Sequence, residues 1–305
     1  MGKSNGKIKN WSQYNKALVK RGSITFWLDE NAVKNWHCQE HHGDRGRGFT
    51  FSDTAIETAL MLKGVFSLPL RGLQGFLDSV FQLMNVPLKS PTYSCISKRA
   101  KTVEIKYRRP SRGPVAHVVV DGTGLKIHGE GEWKMRKHGK EKRRVWRKLH
   151  LAVDAQTHEI IAAEVSLDSV GDNEVLPTLL NPLRRKIQQV SADGAYDTEA
   201  CYALLQRKGC KPTIPPRSNA AYWKGDHPRN EAVEALKNGQ LSQWKHDNDY
   251  HQRSLAETAM SRYKQLNSPQ LSLRCYNGQV GEALAGVKAL NKVIGLGMPV
   301  RQQAA

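Results

Sequence analysis

The sequence predicts an α/β protein in three parts. Residues 1–110 read as an all-helical domain, residues 111–270 as a mixed five-stranded sheet with helices, and residues 271–305 as a C-terminal helix and tail. Three observations carry this. Apolar residues recur at helical spacing through the first third and are interrupted by prolines. The texture then changes to short apolar runs alternating with helical segments. Two of those runs end in Asp-Gly.

Residues 1–50 read as basic and irregular. From Thr54 the pattern turns helical, with Thr54 and Glu57 spaced as a capping box and Ile56, Leu60, Leu62 and Val65 behind them. Pro69 breaks that helix. A second helix follows through Leu73, Phe76, Leu77, Val80 and Phe81. After Pro87, Ser90 and Pro91 are placed to start a third helix, TYSCISKRAKTV, that carries Lys98, Arg99 and Lys101. Two apolar helices and a short basic one predict a helix-turn-helix-type DNA-binding domain, with those three cations on DNA. The linker KYRRPSRGP ends this part near Pro114.

The second part begins with VAHVVV, residues 115–120, a buried strand expected to stop at Asp121-Gly122. Strands at 146–153 and 159–166 complete an antiparallel meander. A helix from Asp172, a strand at 188–192 stopping at Asp193-Gly194, a helix over 198–208, a strand at 211–214 and a last helix containing Glu257 follow. Residues 279–296 read as a further helix.

The chain of 305 residues carries 47 Lys and Arg against 28 Asp and Glu, a net charge of +19. Nucleic acid is the common polyanionic partner for such an excess. No apolar run of 18 residues exists and the first residues lack an apolar signal core, so no membrane association is expected. Five scattered cysteines fit a reducing cytoplasm. The segment His37-Cys38-Gln39-Glu40-His41-His42 has no second ligand pair at zinc-finger spacing and reads as ordinary residues. Trp133 to Lys148, WKMRKHGKEKRRVWRK, packs nine Lys or Arg with one Glu between the first two strands. Phosphate contacts are expected from Arg136, Lys137, Lys142, Arg143, Arg144 and Arg147, with Lys126 beside them, and binding of this kind falls steeply with salt.

Ligand sites in open α/β sheets lie beyond the carboxyl ends of strands. Asp121 and Asp193 each follow a strand, and neighbouring strands would bring their carboxylates together, where a divalent cation relieves the repulsion. In YHQRSLAETAMSRYK, residues 250–264, a turn of about 100° per residue puts Tyr250, Arg253, Glu257 and Lys264 in roughly a 60° stripe. Leu255, Ala256, Ala259, Tyr263 and Leu266 fall opposite and can pack on the sheet. Glu257 then becomes a third metal ligand, while Arg253, Lys264 and Tyr250 hold phosphates or orient the carboxylate. Three carboxylates suit two Mg²⁺ ions about 3.5–4 Å apart. Asp154 reads as a hairpin-turn residue and Asp197 as a helix N-cap; they, Asp247 and Asp249 rank below.

Tyr250, Arg253, Glu257 and Lys264 match in type and spacing the YREK signature of DDE transposases of bacterial insertion sequences. VVVDGTGLK and SADGAYDT resemble that family's first and second aspartate motifs, and residues 1–300 resemble the branch named after insertion sequence five. The resemblance implies a ribonuclease H-like core and Asp121, Asp193 and Glu257 as a catalytic, metal-binding triad. It also implies Mg²⁺ as cofactor, with Mn²⁺ able to substitute, and double-stranded DNA, both transposon ends and target, as partner. Nicking at the ends and joining of the 3′-hydroxyl by at least a homodimer would follow, in a nucleoid-associated bacterial protein. A DNA-binding regulator or a non-transposing nuclease derived from a transposase is the alternative.

Overall fold

The structure, a computed structural model, describes residues 7–39, 48–111, 113–127 and 146–300. The chain divides into two compact units, Met1–Tyr107 with Leu273–Ala305, and Arg108–Ser272.

The first unit is helical. In chain order it holds α1 (Trp11–Lys20), α2 (Ile24–Trp27), α3 (Glu30–Lys34), α4 (Asp53–Val65), α5 (Leu70–Leu83) and α6 (Tyr93–Arg99), and it ends with the C-terminal helix Tyr276–Ile294. The first three helices lie where the sequence suggests irregular chain. They escape a periodicity reading because α2 and α3 are one turn long and α1 buries only Ala17. Trp27 and Trp36 anchor this region, each fully buried with its indole N–H donating to a carbonyl, Arg21 at 2.8 Å and Lys89 at 2.9 Å. The expected capping box at Thr54 gives way to Ser52, whose Oγ accepts the Ala55 N–H at 3.1 Å. Likewise Thr92, not Ser90, caps α6, accepting from the Cys95 N–H at 3.2 Å, while Ser90 donates to Asp78 at 2.6 Å.

Helix α4 is the centre of this unit, buried on every side from Ala55 to Lys63. Its two buried charges are paired: Glu57 with Lys288 and the Lys106 N–H, Lys63 with Glu282. Both lysine–carboxylate pairs join α4 to the C-terminal helix, so residues 273–305 belong to the helical unit rather than forming a separate segment. Close packing depends on Gly281, where a Cβ would come within 2.3 Å of the Ala100 carbonyl oxygen. That obstacle is backbone and has no rotamer to change. Gly281→Ala is therefore expected to cost about 3 kcal/mol, read as a lower thermal midpoint; an unchanged midpoint would refute this packing.

The second unit is a sheet of β1 (Val115–Ile127), β2 (Trp146–Asp154), β3 (Ile160–Leu167), β4 (Ile187–Ser191), β5 (Lys211–Thr213) and β6 (Gln270–Leu271). The strand order is 3-2-1-4-5, with β6 on the far end of β1. Strands β1 to β3 form the expected antiparallel meander, and β4 and β5 run parallel to β1. The two-residue β6 is too short to leave a pattern in sequence. Helices α7 (Asp172–Leu180), α8 (Glu199–Arg207), α9 (Pro228–Lys237), α10 (Leu241–Asp247) and α11 (Ser254–Asn267) complete the unit. Val118, Val120 and Val190 of the sheet bury with Leu176 and Leu180 of α7 and Leu205 of α8. Each such side chain contributes about 1.5–3 kcal/mol. Helix α11 lies against β1 and β2 and buries Ala256, Ala259, Met260 and Tyr263.

Strand β1 does not stop at Asp121. Its pairing with β2 continues from Val118↔Asp154 to Lys126↔Trp146, whereas its pairing with β4 ends at Val119↔Ser191. The strand outlives one neighbour because the other still supplies hydrogen bonds. Asp121 sits where β4 has just turned away. Gly122 makes no turn: it keeps its strand register opposite His150, and a Cβ there would lie 3.1 Å from His150 Nδ1.

Candidate active site

Asp121 and Asp193 come from adjacent parallel strands. Val119 pairs with Ser191, and each aspartate lies two residues further on, so the register sets them at the same height. Asp193 lies two residues past the end of β4 and caps the 3-10 turn Gly194–Tyr196, its Oδ1 accepting the Ala195 N–H at 2.9 Å. Asp121 is partly buried; its Oδ1 accepts the Gly122 N–H at 2.8 Å and its Oδ2 accepts Arg253 Nη1 at 2.7 Å. The other end of the same guanidinium, Nη2, reaches Glu257. One arginine thus joins the first and third acids.

The chain arrives here through an anchored bend. Gln189 of β4 donates to the Asn248 carbonyl at 2.7 Å and to Thr213 Oγ1 of β5 at 2.9 Å. Asp249 then adopts a left-handed conformation, φ 52°, which short polar side chains tolerate better than most. Tyr250 to Arg253 form a 3-10 turn, and α11 starts at Ser254. The expected single helix over 250–264 is therefore a tight turn followed by a helix. Arg253 and Glu257 still meet at i,i+4 spacing. Small Ala256 and Ala259 let α11 lie close to the strands. Two turns later Lys264 donates to Thr123 Oγ1 at 2.7 Å, two residues beyond Asp121 on the same strand.

Electrostatics tie these groups together. Burial pushes the Asp121 carboxyl above its ordinary value; the Gly122 N–H and Arg253 pull it back, and the charges of Asp193 and Glu257 push it up again. Burial also raises the Tyr250 phenol, with Arg253 opposing and Asp193 and Asp121 adding to the rise. Tyr250 therefore stays protonated at neutral pH.

The other candidate acids have local partners. Asp154 accepts the Gln156 N–H at 2.9 Å in the β2–β3 turn. Thr198, not Asp197, caps α8, accepting from the Cys201 N–H. Asp197 is instead buried in a two-point pair with Arg229, whose Nη2 lies 2.7 Å from Oδ2. Asp247 is exposed at the end of α10, beside Gln243. Among the candidate DNA contacts, Lys98 and Lys101 are exposed. Arg99 is not: it is buried, pairs with Asp53, donates to the Phe51 carbonyl at 2.9 Å and stacks on Phe49 at 3.8 Å, so its guanidinium holds the helical unit together. Lys126 and Arg147 stand on the last two pairs of the β1–β2 ladder, where β1 ends and β2 begins, with Arg147 donating to the Trp146 carbonyl. Arg136, Lys137, Lys142, Arg143 and Arg144 lie outside the described residues.

The sequence reading missed the polar cluster behind Gly122. His150 is fully buried and shares a 2.9 Å hydrogen bond with Ser166; Lys148 pairs with Asp172 at 3.1 Å. A histidine between Leu149 and Leu151 in an apolar strand was the available signal. Burial lowers the His150 pKa below 6.5, with Asp172 opposing. A depressed imidazole pKa means the unfolded chain takes up the proton first. Stability is then full above about pH 6.5 and is lost as pH falls through the folded-state pKa. Denaturant midpoints across this range should fall less steeply for His150→Gln than for the native chain.

The donor set of Asp121, Asp193 and Glu257 is all oxygen, the chemistry a hard divalent cation takes. Among the described residues no three His, Cys, Asp or Glu side chains stand close enough to hold an ion, and Arg253 supplies the positive charge between Asp121 and Glu257. The residues fit a divalent metal in kind, with Arg253 as the group that must share its acids.

Residues 113–292 match the family model described as a transposase DDE domain, and a second model of the same description matches residues 19–130. The chain belongs to the DDE transposase family. It is thus an enzyme of the nuclease and transferase kind, from a family that uses divalent metal ions and acts on DNA. The matched region takes in the whole mixed sheet, of strand order 3-2-1-4-5, and its helices. A cryo-EM structure of a piggyBac transposase synaptic complex with hairpin DNA is similar with a TM-score of 0.40 at 11% identity, covering 91% of this chain and 74% of that one. Among the described residues no helix of this transposase is long and apolar enough to cross a membrane.

Proposed function

We propose that this transposase serves a bacterial insertion sequence of the YREK type. It binds the element's terminal inverted repeats, nicks DNA at the ends and joins the freed 3′-hydroxyl to target DNA. The observation that carries this reading is the placement of Asp121 and Asp193 on neighbouring strands with Glu257 joined to Asp121 through Arg253. Asp121, Asp193 and Glu257 would hold Mg²⁺, or Mn²⁺ in its place, which supplies Lewis-acid activation of the attacking oxygen and charge neutralisation at the leaving one. Arg253 keeps Asp121 and Glu257 facing each other. Lys264, held at Thr123, and the protonated Tyr250 offer donors to phosphate oxygens beside the acids. Helices α4 to α6, with exposed Lys98 and Lys101, act as the helix-turn-helix-type element, and the +19 charge draws DNA to the protein in the bacterial cytoplasm. Two ends must be held at once, so the working form is at least a homodimer.

The test uses the purified chain, Mg²⁺, a plasmid target and a labelled duplex carrying the DNA that flanks this gene. Cleaved ends and joined plasmid are the expected products. Cleavage without joining would make the protein a non-transposing nuclease. Binding without cleavage in every divalent metal would make it a regulator.

A further inference from the structure

Arg217 lies just past the carboxyl end of β5, the strand beside β4. The parallel register pairs Ser191 with Thr213, so the segment leaving β5 runs level with Asp193. The Arg217 side chain donates from Nε to the Gly194 carbonyl at 3.2 Å, and its backbone N–H donates to Asp197 Oδ2 at 3.4 Å. Both acceptors belong to the turn that starts at Asp193. The side chain is exposed, and among the described residues Nη1 and Nη2 have no protein acceptor.

The segment carrying it is held on both sides. Arg229, buried against Asp197, donates from Nη1 to the Ala221 carbonyl at 2.7 Å, and its guanidinium stacks 4.3 Å from the Trp223 ring. An exposed arginine tied through Nε to the turn that starts at Asp193, with Nη1 and Nη2 left over, suits an anion that presents two oxygens side by side. DNA supplies such an anion at every nucleotide, and a fork already in place loses little freedom on binding it. The need is electrostatic as well: a phosphodiester approaching three carboxylates is repelled unless a cation meets it.

We propose that Arg217 is a phosphate-binding subsite of this enzyme, holding a backbone phosphate of the DNA strand at Asp193, and that the Asp197–Arg229 pair positions it. The proposal rests on the reading of the site as one that acts on a DNA strand. The test compares the native chain with Arg217→Ala and Arg217→Lys on the labelled flanking duplex, without divalent metal and across salt concentrations. Arg217→Ala should bind about tenfold more weakly, and its slope of log affinity against log salt should shrink by about 0.9. Arg217→Lys keeps the charge and should keep the native slope at intermediate affinity. Native affinity and slope in Arg217→Ala would overturn the proposal, as would weaker binding with an unchanged slope and a lowered thermal midpoint, which marks a structural role. Because this readout needs no cutting, a native chain that binds and never cuts counts against the strand-transfer reading alone, while the slope still decides Arg217.

Discussion

Asp121→Asn is expected to slow strand cleavage by about a thousandfold, near 4 kcal/mol of transition-state stabilisation, while leaving the protein folded and bound to DNA. Asparagine keeps the shape and can still accept the Gly122 N–H through its Oδ1. It removes the charge that faces Arg253 and that a divalent metal requires. Burial already makes that charge costly in the fold, so its removal should move the thermal midpoint by no more than about a few degrees. Single-turnover cleavage beside a binding titration separates the two effects. An Asn variant that cuts at the native rate would remove Asp121 from the chemistry.

The largest effect on stability is expected at Asp197. The Asp197 and Arg229 side chains are 1% and 5% exposed and meet at two points. Asp197→Ala leaves a buried guanidinium without its counter-charge, a loss of about 3–5 kcal/mol. It also frees the Arg217 backbone, so DNA affinity should fall in whatever fraction remains folded. Replacing both partners together, Asp197→Leu with Arg229→Met, removes the stranded charge and should recover most of the stability. Denaturant midpoints of the single and double variants check this. A single variant as stable as the native chain would show that the pair does not hold this loop.

The sequence made the antiparallel meander and the two parallel strands readable because apolar runs and their turn residues are local signals. It misplaced the details that depend on a neighbour. Asp121 looked like a strand end because VVVDG reads as a run followed by a turn, yet β2 carries the strand on to Ile127. Asp197 looked like a cap because it precedes a helix, but Arg229, 32 residues away, takes both its oxygens. Arg99 looked like a DNA contact until Asp53 and Phe49 claimed it. At the candidate site, the i,i+4 spacing of Arg253 and Glu257 was visible in the chain, whereas their link to Asp121 is not. That link requires the left-handed bend at Asp249 and the Gln189 anchor, both set by tertiary contacts.

If Asp121, Asp193 and Glu257 act as one cutting site, Glu257→Gln must lose cleavage while keeping its hold on DNA. Glu257 is 54% exposed at the start of α11, so the change removes a charge without disturbing a core. Single-turnover cleavage of the flanking duplex in Mg²⁺ would be measured for the native chain and the variant, with DNA affinity measured in parallel. Equal affinity and cleavage slowed by at least about a hundredfold are expected. A variant that binds and cuts like the native chain would contradict a single cutting site.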